Sequence, residues 1–107
     1  MMDFSFGVHY VKNSWISVRY VVGECYVTLD SIEVIPEVRG CGIGTRFMRQ
    51  FMEESPYSII LVILYSRPLN FYYRLGFKIK SVDAFDNEGN ISSATLIYEK
   101  ECVKDES

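Results

Sequence analysis

The sequence predicts an α/β (α+β) domain. It is a mixed, mostly antiparallel sheet with one central parallel βαβ unit, in the order βββ-α-β-α-ββ. Three observations carry this. Apolar and polar residues alternate at period two through much of the first third of the chain. Directly after a cluster of glycines the period becomes helical, and a continuous apolar run follows. A second short helical stretch, stopped by Gly76, then leads into two β-rich runs joined by a turn signal.

The elements follow in order. Phe4, Phe6, Val8 and Tyr10 alternate with Ser5, Gly7 and His9 as a first strand. Lys12-Asn13-Ser14 is a turn, Trp15 to Val22 a second strand, and Gly23-Glu24 the next break. Cys25 to Ile35 is a third strand, with Val27, Leu29 and Ile32 as core candidates. The short connections predict an antiparallel meander. Beyond Pro36 and the glycines at 40, 42 and 44, a helix runs from Thr45 to Glu54. Phe47, Met48, Phe51 and Met52 lie on one of its faces, and Ser55-Pro56 ends it. Ser58 to Leu64 is unbroken apolar chain after its first residue and reads as a strand buried on both faces. Such a strand–helix–strand unit is expected to be parallel and right-handed. Pro68 to Leu75 is the second helix. Phe77 to Phe85 and Ile91 to Lys100 are the last strands, with Asp86-Asn87-Glu88-Gly89-Asn90 as their hairpin loop.

Composition bounds the function. The chain has 107 residues, is 49% hydrophobic and 23% charged, and fits one domain. We expect that domain over residues 1–102, with a polar, frayed tail at 103–107. A net charge of -3 argues against a nucleic-acid partner. The longest apolar run, Ile59 to Tyr65, is far too short for a membrane span. The first residues lack the basic and apolar regions of a signal peptide, so a cytoplasmic location is expected. A single histidine excludes a multi-His metal site. Cys25, Cys41 and Cys102, odd in number and without motif spacing, argue against a disulfide framework or a zinc site.

The glycine loop is the most informative stretch. It follows a strand and opens a helix, so free amides and the helix's positive end form a seat for phosphate. A P-loop is excluded, because Gly44 is followed by Thr45-Arg46 rather than Lys-Ser/Thr. A dinucleotide fingerprint is excluded too, because position 45 is Thr45 and the chain is too short for that fold. Taken alone, the loop also fits a glycine turn that caps a helix and holds no ligand.

What is left is Arg39-x-x-Gly42-x-Gly44, with Val34-x-Pro36 just ahead, and later Phe71-Tyr72-x-x-x-Gly76-Phe77. These resemble the two signatures, [Gln/Arg]-x-x-Gly-x-[Gly/Ala] and Phe-Tyr-x-x-x-Gly-Phe, of the GCN5-related N-acetyltransferase (GNAT) superfamily. They stand in the family's order with the right elements between them, over roughly residues 15 to 100.

The resemblance implies a GNAT-like sheet and acetyl-CoA as donor substrate, with no metal. It puts the pyrophosphate on Arg39, Gly40, Cys41, Gly42, Ile43, Gly44 and Thr45. The pantetheine arm would pair like a strand with the backbone of Ile32, Glu33 and Val34. Tyr72 takes the place of the family's proton donor to the departing thiolate, a role that suits a phenol. An amine acceptor is mostly ammonium at pH 7 and must lose a proton. The family's placement makes Asp30 the first candidate acceptor of it and Glu33 the second. A bulge in that strand would change which residues face the site. Cys41 reads as a small loop residue and His9 as a structural one.

Two departures matter. The family's Asn seven residues before the signature tyrosine falls here on Tyr65, with Asn70 off register. Typical members also insert two helices between the first strands, and only Val11 to Ser14 is available here. A minimal member without those helices implies an open acceptor side. The expectation is therefore a protein acceptor, a lysine or an N-terminus, and either a monomer or a homodimer. The alternative is a non-catalytic protein that keeps the fold to bind CoA or a partner.

Overall fold

Alternating burial builds the first half of the molecule. The computed structural model describes residues 2–64 and 68–101. Within it β1 (Gly7–Lys12), β2 (Ile16–Val22) and β3 (Tyr26–Val34) form the antiparallel meander. Ile16, Val18, Tyr20 and Val22 of β2 are buried on one face, opposite Val27 and Leu29 of β3. The β1–β2 turn is fixed by Asn13, whose side-chain oxygen accepts the amides of Trp15 and Ile16 at 2.8 and 3.0 Å.

The first strand differs from the simple alternation. Gly7 has φ +124°, which ends the extended run there. Phe4 lies before that break and packs on Tyr20 and Phe51, with centroids 5.7 and 5.5 Å away. Phe6 is left exposed, and within β1 His9 and Val11 turn inward while Val8 and Tyr10 face out. His9 stacks on Tyr20 and its Nε2 meets the Ser5 carbonyl at 2.7 Å, a structural role.

The parallel crossover is present. α1 (Ile43–Glu54) joins β3 to β4 (Ser58–Ile63), which pairs parallel to β3. Met48, Phe51 and Met52 bury the predicted helix face. Phe51 lies edge-on to Tyr20 at 5.0 Å, and burying such a ring contributes about 1.5–3 kcal/mol. α2 (Leu69–Leu75) ends at Gly76, whose φ of +108° is a left-handed cap. β5 (Lys78–Phe85) and β6 (Ile91–Tyr98) form the closing hairpin, and β6 inserts beside β4. The sheet order is β1-β2-β3-β4-β6-β5.

The buried side chains of strands and helices form one cluster. The opposite face of the sheet is much barer. β4 is therefore not buried on both sides as its sequence predicts. Ile59, Leu61 and Ile63 are buried, but Val62 is 54% and Leu64 74% exposed. The connection between β1 and β2 is only residues 13–15, so among the described residues it contributes no helix to that face. The cysteines also depart from expectation. Cys25 is disulfide-bonded, while Cys41 is free and exposed. The predicted tail, 103–107, and the Tyr65 position both lie outside the described residues.

Candidate active site

A bulge opens the site. Arg19 pairs with Ser31 and its neighbour Tyr20 with Leu29, so Asp30 is an extra residue in β3. Pairing of β3 with β4 stops at the same place, at Leu29 opposite Leu61. Beyond it the two strands part. The bulge also changes which side chains face the core. Ile32 and Val34 now lie opposite buried Val18 and Ile16 and pack against the cluster.

Backbone polarity follows from the same shift. The amide of Ile35 donates to the carbonyl of Trp15 at 3.0 Å, on the β2 side. Peptide groups alternate along a strand, so those of Val34 and Ile32 are directed to the gap beside β4. The Val34 carbonyl accepts there from Nε of Arg39 at 3.0 Å.

The glycine loop closes one end of the gap. A short 3₁₀ turn, Pro36–Val38, follows β3. Amides of Val38, Arg39 and Cys41 donate within the loop, to Ile35, Pro36 and Val38 carbonyls at 3.2, 3.3 and 3.2 Å. Gly40 and Gly42 have φ of +87° and +79°, where a side chain is strained. Gly42 caps α1, so the amides of Ile43, Gly44 and Thr45 have no intrahelical acceptor, and no side chain caps them. They form an anion seat at the positive end of the helix.

Two cavities occupy the gap. One of about 620 Å³ lies among Val34, Arg39, Gly42, Gly44, Thr45 and Phe71. The other, of about 310 Å³, includes Asp30, Ser31, Val62 and Leu64 in its lining. They meet at Ile32, Pro68 and Tyr72, which line both. Tyr72 is buried and wedged edge-on between Phe71 and Phe77, at 5.1 and 5.5 Å. Asp30 is ion-paired with Arg19, whose Nε also donates to the Tyr10 hydroxyl at 3.3 Å.

The fold thus brings together Asp30, Ile32, Val34, Arg39, Gly40, Gly42, Ile43, Gly44, Thr45 and Tyr72 on the paired cavities. It does not bring in Glu33 or Cys41. Glu33 faces a separate depression with Lys12 and Ser17, and the Cys41 amide is already bonded to Val38. Sequence reasoning passed over Val38, Phe71 and Pro68 on the loop side, and Val62 and Leu64 on the other. Phe71 was legible as the partner of Tyr72 in its motif; Val62 and Leu64 were hidden by the assumption of two-sided burial. Among the described residues no cluster of three His, Cys, Asp or Glu could hold a metal.

Residues 8–79 match the family model described as an acetyltransferase (GNAT) domain. The chain belongs to the GNAT acetyltransferase family. No curated protein matches it. Among solved structures, this GNAT chain is similar to the ribosomal-protein-S18-alanine N-acetyltransferase from Escherichia coli. The TM-score is 0.69 at 16% identity, covering 92% of this chain and 74% of that one. It is also similar to Arabidopsis thaliana Naa50, solved with the bisubstrate analogue CoA-Ac-MVNAL (TM-score 0.63, 16% identity, 78% and 63% covered). A third is the PaiA N-acetyltransferase from Thermoplasma acidophilum, solved with coenzyme A (0.62, 17%, 80% and 54%). At these identities the likeness is one of fold. This GNAT domain spans less than two thirds of the last two proteins.

Proposed function

We propose that the chain is an N-acetyltransferase that moves an acetyl group from acetyl-CoA directly to a primary amine of a protein, a lysine or an N-terminus. The observation that carries this is the meeting of two cavities at Ile32, Pro68 and Tyr72. One suits a thioester arm ending on an anion seat, and the other opens to solvent along the bare face of β4.

In this reading the amides of Ile43, Gly44 and Thr45 hold the pyrophosphate, with Arg39 close by. The peptide groups of Ile32 and Val34 hold the pantetheine amides in the gap that β4 leaves unpaired. The amine nitrogen attacks the thioester carbonyl, and the C–S bond breaks. Tyr72 gives the departing thiolate its proton, while Asp30 accepts the proton that the ammonium loses. The nitrogen sheds a second proton as the amide forms, which restores the Tyr72 phenol, and Asp30 passes its own to solvent, so one proton is released per turnover. The exposure of Val62 and Leu64 in the lining of the second cavity favours a bulky acceptor over a small buried amine.

Incubation with acetyl-CoA and a protein mixture, read by mass spectrometry together with thiol release, tests the reading. Acetylated lysines or N-termini are expected. Acetylation of small amines alone would overturn the acceptor class.

One observation favours a second reading, a non-catalytic binder of CoA or a partner. The Asp30 carboxylate is already held by Arg19. Binding of CoA in a calorimeter without any thiol release would select that reading.

A further inference from the structure

A third cavity, small at about 140 Å³, adjoins the loop side of the site. It is lined by Thr45, Arg49, Phe71, Arg74 and Leu75. Thr45 and Phe71 also line the large cavity, whereas nothing lining the small one reaches the Asp30 cavity. The three are therefore arranged in series, with the anion seat in the middle and Tyr72 and the arginine cleft on either side of it.

The cleft is basic from two directions. Arg49 stands four residues after Thr45 on α1, on the same helical face and about 6 Å further along the axis. Arg74 comes from the last turn of α2. Among the described residues neither guanidinium has an ion pair or hydrogen bond; the ion pairs are His9–Asp3, Arg19–Asp30 and Lys78–Glu99. In a chain of net charge -3, two unpaired arginines converging on one cleft are a local reversal of sign. A guanidinium fork matches phosphate oxygens two at a time.

We propose that this cleft binds the 3′-phosphate of coenzyme A, making Arg49 and Arg74 the residues that distinguish CoA from 3′-dephospho-CoA. The inference rests on the acetyl-CoA reading above. Coenzyme A is a linear ligand: thioester, pantetheine, pyrophosphate, then a ribose carrying the 3′-phosphate. The cavities follow that order. The pyrophosphate seat ends at Thr45, and the 3′-phosphate lies one ribose further on, where Arg49 stands one helical turn beyond Thr45. Both arginines are exposed, so their removal leaves the core intact.

The test is calorimetric titration of CoA and of 3′-dephospho-CoA into the wild-type chain and into the Arg49→Ala/Arg74→Ala double variant. The wild type is expected to bind CoA about tenfold or more tightly than dephospho-CoA. The double variant should bind both alike, at the wild-type affinity for dephospho-CoA. Equal wild-type affinities, or a preference that survives in the double variant, would overturn the assignment. A wild type that binds neither ligand would instead overturn the acetyl-CoA reading itself, and the cleft with it. Circular dichroism of the double variant checks that its fold is unchanged.

Discussion

Arg19 holds the carboxylate of Asp30 from the neighbouring strand, and Asp30 is the extra residue at which β3 leaves β4. The ion pair therefore ties the candidate proton acceptor to the feature that opens the site. Its contribution to stability is small, about 0.2–1 kcal/mol for a partly exposed pair. We expect Arg19→Gln and Asp30→Asn each to lower the acetylation rate with little change in melting temperature. The double variant should lose no more than the worse single one, as coupled residues do. Strictly additive losses would show that the two act separately.

Tyr72 is buried, with its ring edge-on to both Phe71 and Phe77. Tyr72→Phe keeps both edge-on contacts, to Phe71 and Phe77. Thiol release is expected to fall about 10²-fold or more, while KM for acetyl-CoA changes little. An unchanged rate would remove the phenol from the reaction.

The loop glycines divide into two kinds. Gly42→Ala places a side chain at φ +79° with nothing near its Cβ, so the strain is conformational, about 1–2 kcal/mol. Gly44 has ordinary backbone, and an added Cβ meets Val34 Cγ2 at 3.8 Å and Phe71 Cζ at 3.9 Å, normal contacts. Gly44→Ala is expected to melt at or slightly above the wild-type temperature, and Gly42→Ala below it. Calorimetry with CoA should show weakened binding for Gly42→Ala.

Phe51 joins the first residues, β2 and α1 in one aromatic cluster with Phe4, Tyr20 and Phe47. It is fully buried. Phe51→Ala should destabilise the fold by about 3–5 kcal/mol, a large share of the total for a small domain. Urea unfolding measures it; a loss below about 1 kcal/mol would mean the cluster collapses around the gap.

Asp86 governs the β5–β6 turn. Its carboxylate accepts the amides of Asn90 and Glu88 at 2.9 and 2.8 Å, which holds it below the usual carboxylate range. A depressed native value contributes stability that is complete above the unfolded value, near 3.9. That stability is lost as the pH falls through the lower native value. The turn is expected to stay intact through mild acid and loosen only below about pH 4. An NMR titration of the Asp86 carboxyl, with the Glu88 and Asn90 amides as reporters, follows it.

The fold was legible because its signals are local. Gly42 and Gly76 mark helix ends by backbone geometry that other residues resist, and Met48, Phe51 and Met52 repeat at helical spacing. The glycine loop and the helix start of the proposed pyrophosphate seat were legible for the same reason: they are contiguous in sequence. What could not be read depends on contacts between distant segments. No local pattern shows that Arg19 pairs with Asp30, or that Asp30 is extra in its strand, since both depend on the register of β2 against β3. The exposure of Val62 and Leu64 is likewise not written in their own apolar run, since it depends on what other segments lay over that face.

The bulge at Asp30 has a consequence for how this chain tolerates change in length. It acts as a phase shift within one strand: residues before it are in step with β4, and residues after it are out of step. Removing that single residue would restore regular alternation, keep Ile32 and Val34 on the core face without the bulge, and let β3 and β4 zip together. The gene for such a chain therefore accepts a codon gained or lost around Glu88 far more readily than one at position 30, where a single codon separates an open cleft from a closed sheet.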